Sequence, residues 1–138
     1  LFIISSNTLV ESPVLIKYVG EIHHKINEAA KKEGLPFSAT HIHPTVGDTF
    51  WVNIVGKGYP APTTMFRWCT DRMKIKPADQ FILDKVNEFG EVILILGVRK
   101  QESTTRKQVM SLYKIKDSLL SRHSKFSQAF VYTPRRSE

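Results

Sequence analysis

Short uninterrupted apolar runs, alternating with segments of helical period, constrain this chain most strongly. Residues 1–4 read Leu-Phe-Ile-Ile and residues 92–96 read Val-Ile-Leu-Ile-Leu. Neither run approaches the roughly 20 apolar residues a membrane span needs. Both suit strands covered on two faces by other elements. The run at 1–4 lacks the basic flank and small-residue cleavage site of a signal peptide. It reads as a strand already inside a fold, with an upstream segment expected before it.

The segments between the runs predict helices and turns. Ser5, Ser6, Asn7 and Thr8 form a polar strand exit. Ser12 followed by Pro13 is a helix start, because Ser favours the N-cap and Pro the first helical position. Val14, Leu15, Val19, Ile22, Ile26 and Ala29 follow near helical spacing and define an expected apolar face. Gly34 and Pro36 stop that helix. Residues 37–43 suit a second, weaker strand. Asp48 is placed to cap a short helix carrying Phe50, Trp51, Ile54 and Val55. Residues 56–62 are loop by their Gly and Pro content.

Residues 66–75 predict a short helix, and Pro77 opens another, with Phe81, Ile82, Val86 and Phe89 on one face and Gly90 at its end. Residues 91–96 are the clearest strand, 97–104 its exit, 105–120 a basic amphipathic helix and 130–132 a last strand. The order β-α-β-α-α-α-β-α-β places the chain in the α/β class, with an open, mostly parallel sheet and helices on both faces. Residues 1–134 are expected to form one domain, and 135–138 a tail or a fragment of a further segment.

Charge is unevenly distributed. Residues 1–98 hold ten Lys or Arg and ten Asp or Glu; residues 99–138 hold ten and three, and so carry the whole net charge of +7. A basic segment on a neutral body points to a polyanionic partner such as a nucleotide or nucleic acid. A solvated, Lys-rich helix face is the competing reading.

Ligands of open α/β sheets bind beyond the carboxyl ends of the strands. Two exits here are polar: Ser5 to Thr8, and the stretch Gly97-Val98-Arg99-Lys100-Gln101-Glu102-Ser103-Thr104-Thr105-Arg106. Gly97 lets the backbone approach a ligand closely. Arg99, Lys100 and Arg106, beside a helix start at Ser103 or Thr104, suit a phosphate chain; a solvated basic loop is the alternative. Cys69 is the single cysteine, so the chain has no internal disulfide and no cysteine-only metal site of its own. It reads either as a small buried hydrophobe or, flanked by Arg67 and Arg72, as a thiolate nucleophile or metal ligand. His41 and His43 would share one strand face, but no carboxylate spacing supports a zinc site there.

At this point the residues match a family. The Gly97 to Arg106 stretch resembles the Gly-x-Arg-x-x-x-Ser-x-x-Arg loop of phosphoadenosine phosphosulfate reductases. Gly58-Tyr59-Pro60-Ala61-Pro62, followed by Phe66-Arg67-Trp68-Cys69-Thr70-Asp71-Arg72-Met73-Lys74-Ile75-Lys76-Pro77, narrows the match. With Ser5-Ser6-Asn7-Thr8-Leu9-Val10-Glu11-Ser12-Pro13, the chain looks like the sulfurtransferases of DNA phosphorothioation systems, of the DndC type or its Ssp-system counterpart. The resemblance runs from Leu1 to about Pro134.

The resemblance implies an adenine nucleotide α-hydrolase-like, Rossmann-like fold. It implies an ATP pyrophosphatase that helps sulfur replace a non-bridging phosphate oxygen of DNA. Arg99 and Arg106 would be the catalytic cations. Ser5, Ser6, Asn7, Thr8 and Gly97 would join them in binding Mg-bound ATP. Cys69 would ligate a 4Fe-4S cluster completed by cysteines outside this chain, with Trp68 shielding it in a region left loosely packed without the metal. The implied partners are DNA and other phosphorothioation-system proteins, including a cysteine desulfurase. The implied location is the cytoplasm, with no membrane association. The family's Ser-Gly-Gly-x-Asp-Ser pyrophosphate loop is missing from this chain and is expected upstream of Leu1. Asn7 stands where the family often has Asp. A reductase of phosphoadenosine phosphosulfate or adenylyl sulfate, and a non-enzymatic DNA-docking subunit, are the alternative functions.

Overall fold

A computed structural model describes residues 1–96 and 120–132. The chain divides into two compact units, Leu1–Phe81 and Ile82–Glu138. Both are of α/β character.

The first unit is built on a parallel strand pair. Strand β1 (Phe2–Ser6) lies beside β2 (Ser38–Ile42), with Phe2 opposite Ser38 and Ser6 opposite Ile42. Parallel strands need a long crossover, and helix α1 (Pro13–Glu33) supplies it. Its limits are the expected ones. Ser12 is the N-cap and Pro13 opens the helix, although the Ser12 hydroxyl makes no capping bond. At the other end Gly34 adopts φ 65°, the left-handed conformation. The Leu35 N–H bonds the Ala30 carbonyl at 2.8 Å and the Gly34 N–H bonds that of Lys31 at 3.4 Å, satisfying carbonyls the helix end would orphan.

The buried face of α1 differs from the expected stripe. Val14, Leu15, Tyr18 and Ile22 are exposed, Val14 by 78%. The covered face instead runs through Ile16, Val19, Gly20, His23, Ile26, Asn27 and Ala30, of which His23 and Ala30 are fully buried. Two polar residues occupy this face because each finds a partner on the strands. Asn27 donates its Nδ2 to the Ala39 carbonyl at 3.0 Å and accepts the Ala39 N–H on Oδ1 at 2.8 Å. It thereby fills hydrogen-bonding positions on β2 that a further strand would otherwise take.

After β2 come a 3₁₀ turn (Val46–Asp48) and a π-helical turn (Val52–Gly56). Asp48 does not cap the following helical stretch; its carboxylate turns to Arg72 and Lys76. The two helices expected on either side of Pro77 are one continuous helical path. Helix α2 (Trp68–Thr70) passes through a π-helical turn (Asp71–Ile75) into α3 (Lys76–Phe89). Pro77 lacks an N–H, and its ring would crowd the carbonyl of Met73. The wider turn just before it, with the Lys76 N–H bonded to the Asp71 carbonyl, accommodates both defects.

The second unit centres on Ile82 and Val86 of α3, with Ala129, Val92, Leu94 and Phe126 against them. Gly90, at φ 82°, ends α3. Strand β3 (Val92–Ile95) pairs in parallel with β5 (Ala129–Tyr132), which pairs antiparallel with β4 (Leu120–Arg122). Leu120, expected as the last residue of the basic helix, opens β4 instead, because its place opposite Tyr132 in a hairpin outweighs a local helical period. Val92 and Leu94 face the core, while Ile93 and Ile95 are 62% and 57% exposed. Among the described residues the apolar run thus gives a strand with one covered face. The described strands form a two-stranded parallel sheet and a three-stranded mixed sheet.

Candidate functional site

Because β1 and β2 are parallel, both leave the sheet at the same edge. Ser5 is the register partner of His41 and Ser6 that of Ile42, and the Asn7 N–H still bonds the Ile42 carbonyl at 2.8 Å. The residues at this edge are therefore Ser6, Asn7 and Thr8 from one strand and His43 from the other.

The β1 exit is folded by its own side chains. Asn7 Oδ1 accepts the Leu9 N–H at 2.9 Å, and Glu11 Oε2 accepts the Thr8 N–H at 2.8 Å. The Asn7 turn carries Leu9 into the left-handed region at φ 64°, which a leucine seldom adopts. Of the four residues expected to bind nucleotide here, Ser6 is exposed, Ser5 and Asn7 are half-buried, and Thr8 is buried. The Ser5 hydroxyl turns away from the edge and lies 3.0 Å from His23 Nε2.

Spacing alone gives His23 no distinction, since it occupies an ordinary place in an amphipathic helix. In the fold it is buried, bonded to Ser5 and stacked at a tilt on His41 with ring centroids 4.3 Å apart. Burial, and secondarily the nearby His41, lower its pKa from the usual 6.5. The Nδ1 atoms of His23 and His41 are both buried, and among the described residues neither has a hydrogen-bond partner.

A second cluster surrounds Arg72. Its Nη1 donates to Asp48 Oδ1 at 2.8 Å, its Nη2 to the Tyr59 hydroxyl at 2.6 Å, and its guanidinium carbon lies 4.8 Å from the Tyr59 ring centroid. Lys76 Nζ reaches Asp48 Oδ2 at 3.4 Å. Burial pushes the Asp48 carboxyl up, but hydrogen bonds and charge from Arg72 and Lys76 outweigh it and hold the group below its usual range. Arg72, read from the sequence as a cation beside Cys69, is thus committed to Asp48 and Tyr59.

Cys69 is half-buried in the single turn of α2. Around it Trp68 and Met73 are buried, while Met65, Phe66 and Arg67 are exposed. Trp68 is 6% exposed, donates its indole N–H to the Pro60 carbonyl at 3.0 Å, stacks on Phe50 and meets Tyr59 edge-on. Its ring completes an aromatic cluster with Phe50 and Tyr59. Among the described residues no three His, Cys, Asp or Glu side chains come together as a metal site. Nor is any helix among them long and apolar enough to cross a membrane. Gly97, Arg99 and Arg106 lie outside the described residues.

Comparison with known proteins adds one relative. Over 60 residues, 44% of this chain, the sequence is 33% identical to an uncharacterized protein of Methanocaldococcus jannaschii. The match spans 12% of that protein's length. No family model matches the chain, and no solved structure matches it.

Proposed function

We propose that this chain is the nucleotide-binding part of an ATP-dependent sulfurtransferase acting on DNA, of the kind found in phosphorothioation systems. The observation that carries the reading is the shared carboxyl edge of β1 and β2, with Ser6, Asn7 and His43 leaving the strands side by side. Open α/β sheets take their ligands beyond this edge. The fold that goes with the reading is an open, mostly parallel sheet of adenine nucleotide α-hydrolase type.

ATP is a substrate in this scheme. A DNA phosphate oxygen attacks the α-phosphorus, the bond to the bridging oxygen breaks, and pyrophosphate leaves. The persulfide sulfur of a partner cysteine desulfurase, released as sulfide by a thiol reductant that is itself oxidised to a disulfide, then attacks the phosphorus of the activated DNA phosphate and displaces AMP, which carries the phosphate oxygen away. Arg99 and Arg106 hold phosphates and offset the charge that develops in transfer. Ser6 and Asn7 offer short polar groups to the adenosine. Cys69 provides one thiolate, whereas a four-iron cluster takes about four ligands. The donor set of this chain does not fit a cluster by itself, and the steps given require none. Cys69 is proposed as one ligand among cysteines from outside the 138 residues.

The test is ATP-dependent release of pyrophosphate by the full-length protein in the presence of DNA. Arg99→Ala should lower turnover by roughly 10²–10³-fold, the loss seen when one preorganised charge-stabilising donor is removed. Unchanged turnover removes Arg99 from the mechanism. Turnover of phosphoadenosine phosphosulfate or adenylyl sulfate in place of ATP would make the chain part of a reductase. Salt-dependent DNA binding with no nucleotide turnover would make it a docking subunit.

A further inference from the structure

The interface between α1 and the β1–β2 pair holds ionisable groups that play no part in the proposed chemistry. His23 projects from the covered face of α1, Ser5 meets it from β1 and His41 from β2. On α1 itself the residues one turn away, Val19, Gly20, Ile26 and Asn27, carry no charge. His24 and Glu28 pair with each other at 3.3 Å on the solvent side, both largely exposed. His43, two residues beyond His41, is exposed and donates its Nδ1–H to the Pro44 carbonyl at 3.4 Å. No carboxylate bonds either the His23 or the His41 ring among the described residues.

This arrangement tolerates a neutral imidazole and penalises a charged one. In the neutral ring, the proton on Nε2 can go to the Ser5 hydroxyl, leaving Nδ1 bare. Protonation puts a second N–H on Nδ1, where no acceptor is present among the described residues. It also places a cation in a buried position whose ionisable ring neighbour is another imidazole.

We propose that the Ser5–His23–His41 cluster is an acid-sensitive latch: uptake of a proton there loosens α1 from the parallel strand pair that it covers. The element biased is the packing of α1, which the Asn27 bonds to Ala39 otherwise hold against β2. The strands released are those whose common edge carries Ser6 and Asn7. The latch itself depends only on the packing of these three elements, whatever binds at that edge.

The direction follows from proton linkage. A buried group that is neutral in the fold and readily charged when unfolded adds stability above the unfolded-state value near 6.5. That contribution declines as the pH falls below it and through the folded-state value. The experiment is an imidazole NMR titration of the 138-residue chain, in buffer and in urea, together with urea unfolding midpoints from pH 7.5 to 5. The His23 ring should titrate at lower pH in the folded chain than in the unfolded one. The unfolding midpoint should fall on acidification, and His23→Gln, which keeps a polar side chain that cannot be protonated, should flatten that fall. A folded-state titration equal to or above the unfolded one would overturn the latch, as would an unchanged pH slope in a folded His23→Gln. Should that variant not fold, the titration of the wild-type ring alone decides.

Discussion

The Arg72 guanidinium donates to Asp48 Oδ1 at 2.8 Å, closing a contact between residues 24 positions apart. The side chains are only 22% and 19% exposed, so solvent screens the pair weakly. Tyr59 takes the second guanidinium nitrogen, and Lys76 the second carboxylate oxygen. One carboxylate thus ties the 3₁₀ turn to the π-helical turn that leads into α3.

Asp48→Ala should therefore cost about 1–3 kcal/mol, the range for losing charge-assisted hydrogen bonds at a partly buried site. Chemical denaturation of the two chains measures it. The Asp48 carboxyl is held below its usual 3.8. Its contribution is present above that value and is lost as the pH falls through the folded-state one. The acid limb of the stability curve below about pH 4 should be shallower in Asp48→Asn than in the native chain. Equal limbs would show that the network does not stabilise the fold.

Asn27→Leu should destabilise the first unit by about 2–4 kcal/mol. The estimate combines the loss of two hydrogen bonds with the cost of leaving the Ala39 N–H and carbonyl unpaired at a buried position. Amide exchange at Ala39 should accelerate more than exchange in β3 or β5. Uniform acceleration across both units would argue against a local clip.

Cys69→Ser bears on the proposed cluster. In the full-length protein prepared without oxygen, iron content should fall sharply, because sulfur ligands hold such clusters. The fold should survive, since Trp68 is anchored to the Pro60 carbonyl and the Phe50 ring. Full iron loading in the variant would return Cys69 to the role of a small packing residue.

Duplex DNA binding should depend on the basic segment. Replacing Lys114, Lys116 and Arg122 by Gln should reduce the slope of log affinity against log salt, by roughly 0.9 for each phosphate that is no longer neutralised. Arg122 is exposed on β4; Lys114 and Lys116 lie outside the described residues. An unchanged slope would assign DNA binding to another surface or another subunit.

Much of the local architecture is legible from residue order. Ser12-Pro13 and Gly34 delimit α1, Gly90 ends α3, and residues 92–95 form a strand. These signals act within a few residues, through proline's missing N–H, glycine's access to positive φ and the stiffness of branched side chains. The polar exit at Ser5 to Thr8 is legible for the same reason. Its inner wiring is not: the Ser5 hydroxyl turns to His23, 18 residues on, and Asn7 bends the loop at Leu9.

The tertiary structure alone decided which face of each element is covered. Hydrophobic spacing places Val14, Leu15 and Ile22 inside, yet they are exposed while His23 and Asn27 point to the strands. Leu120 became the start of a hairpin strand rather than the end of a helix. Arg72 found Asp48, 24 residues earlier in the chain. A polar or charged side chain is stable inside only where a particular partner meets it, and the backbone brings that partner from a distant part of the chain. Spacing along one element carries no record of such a meeting, whereas the turns and caps that end an element depend only on their immediate neighbours.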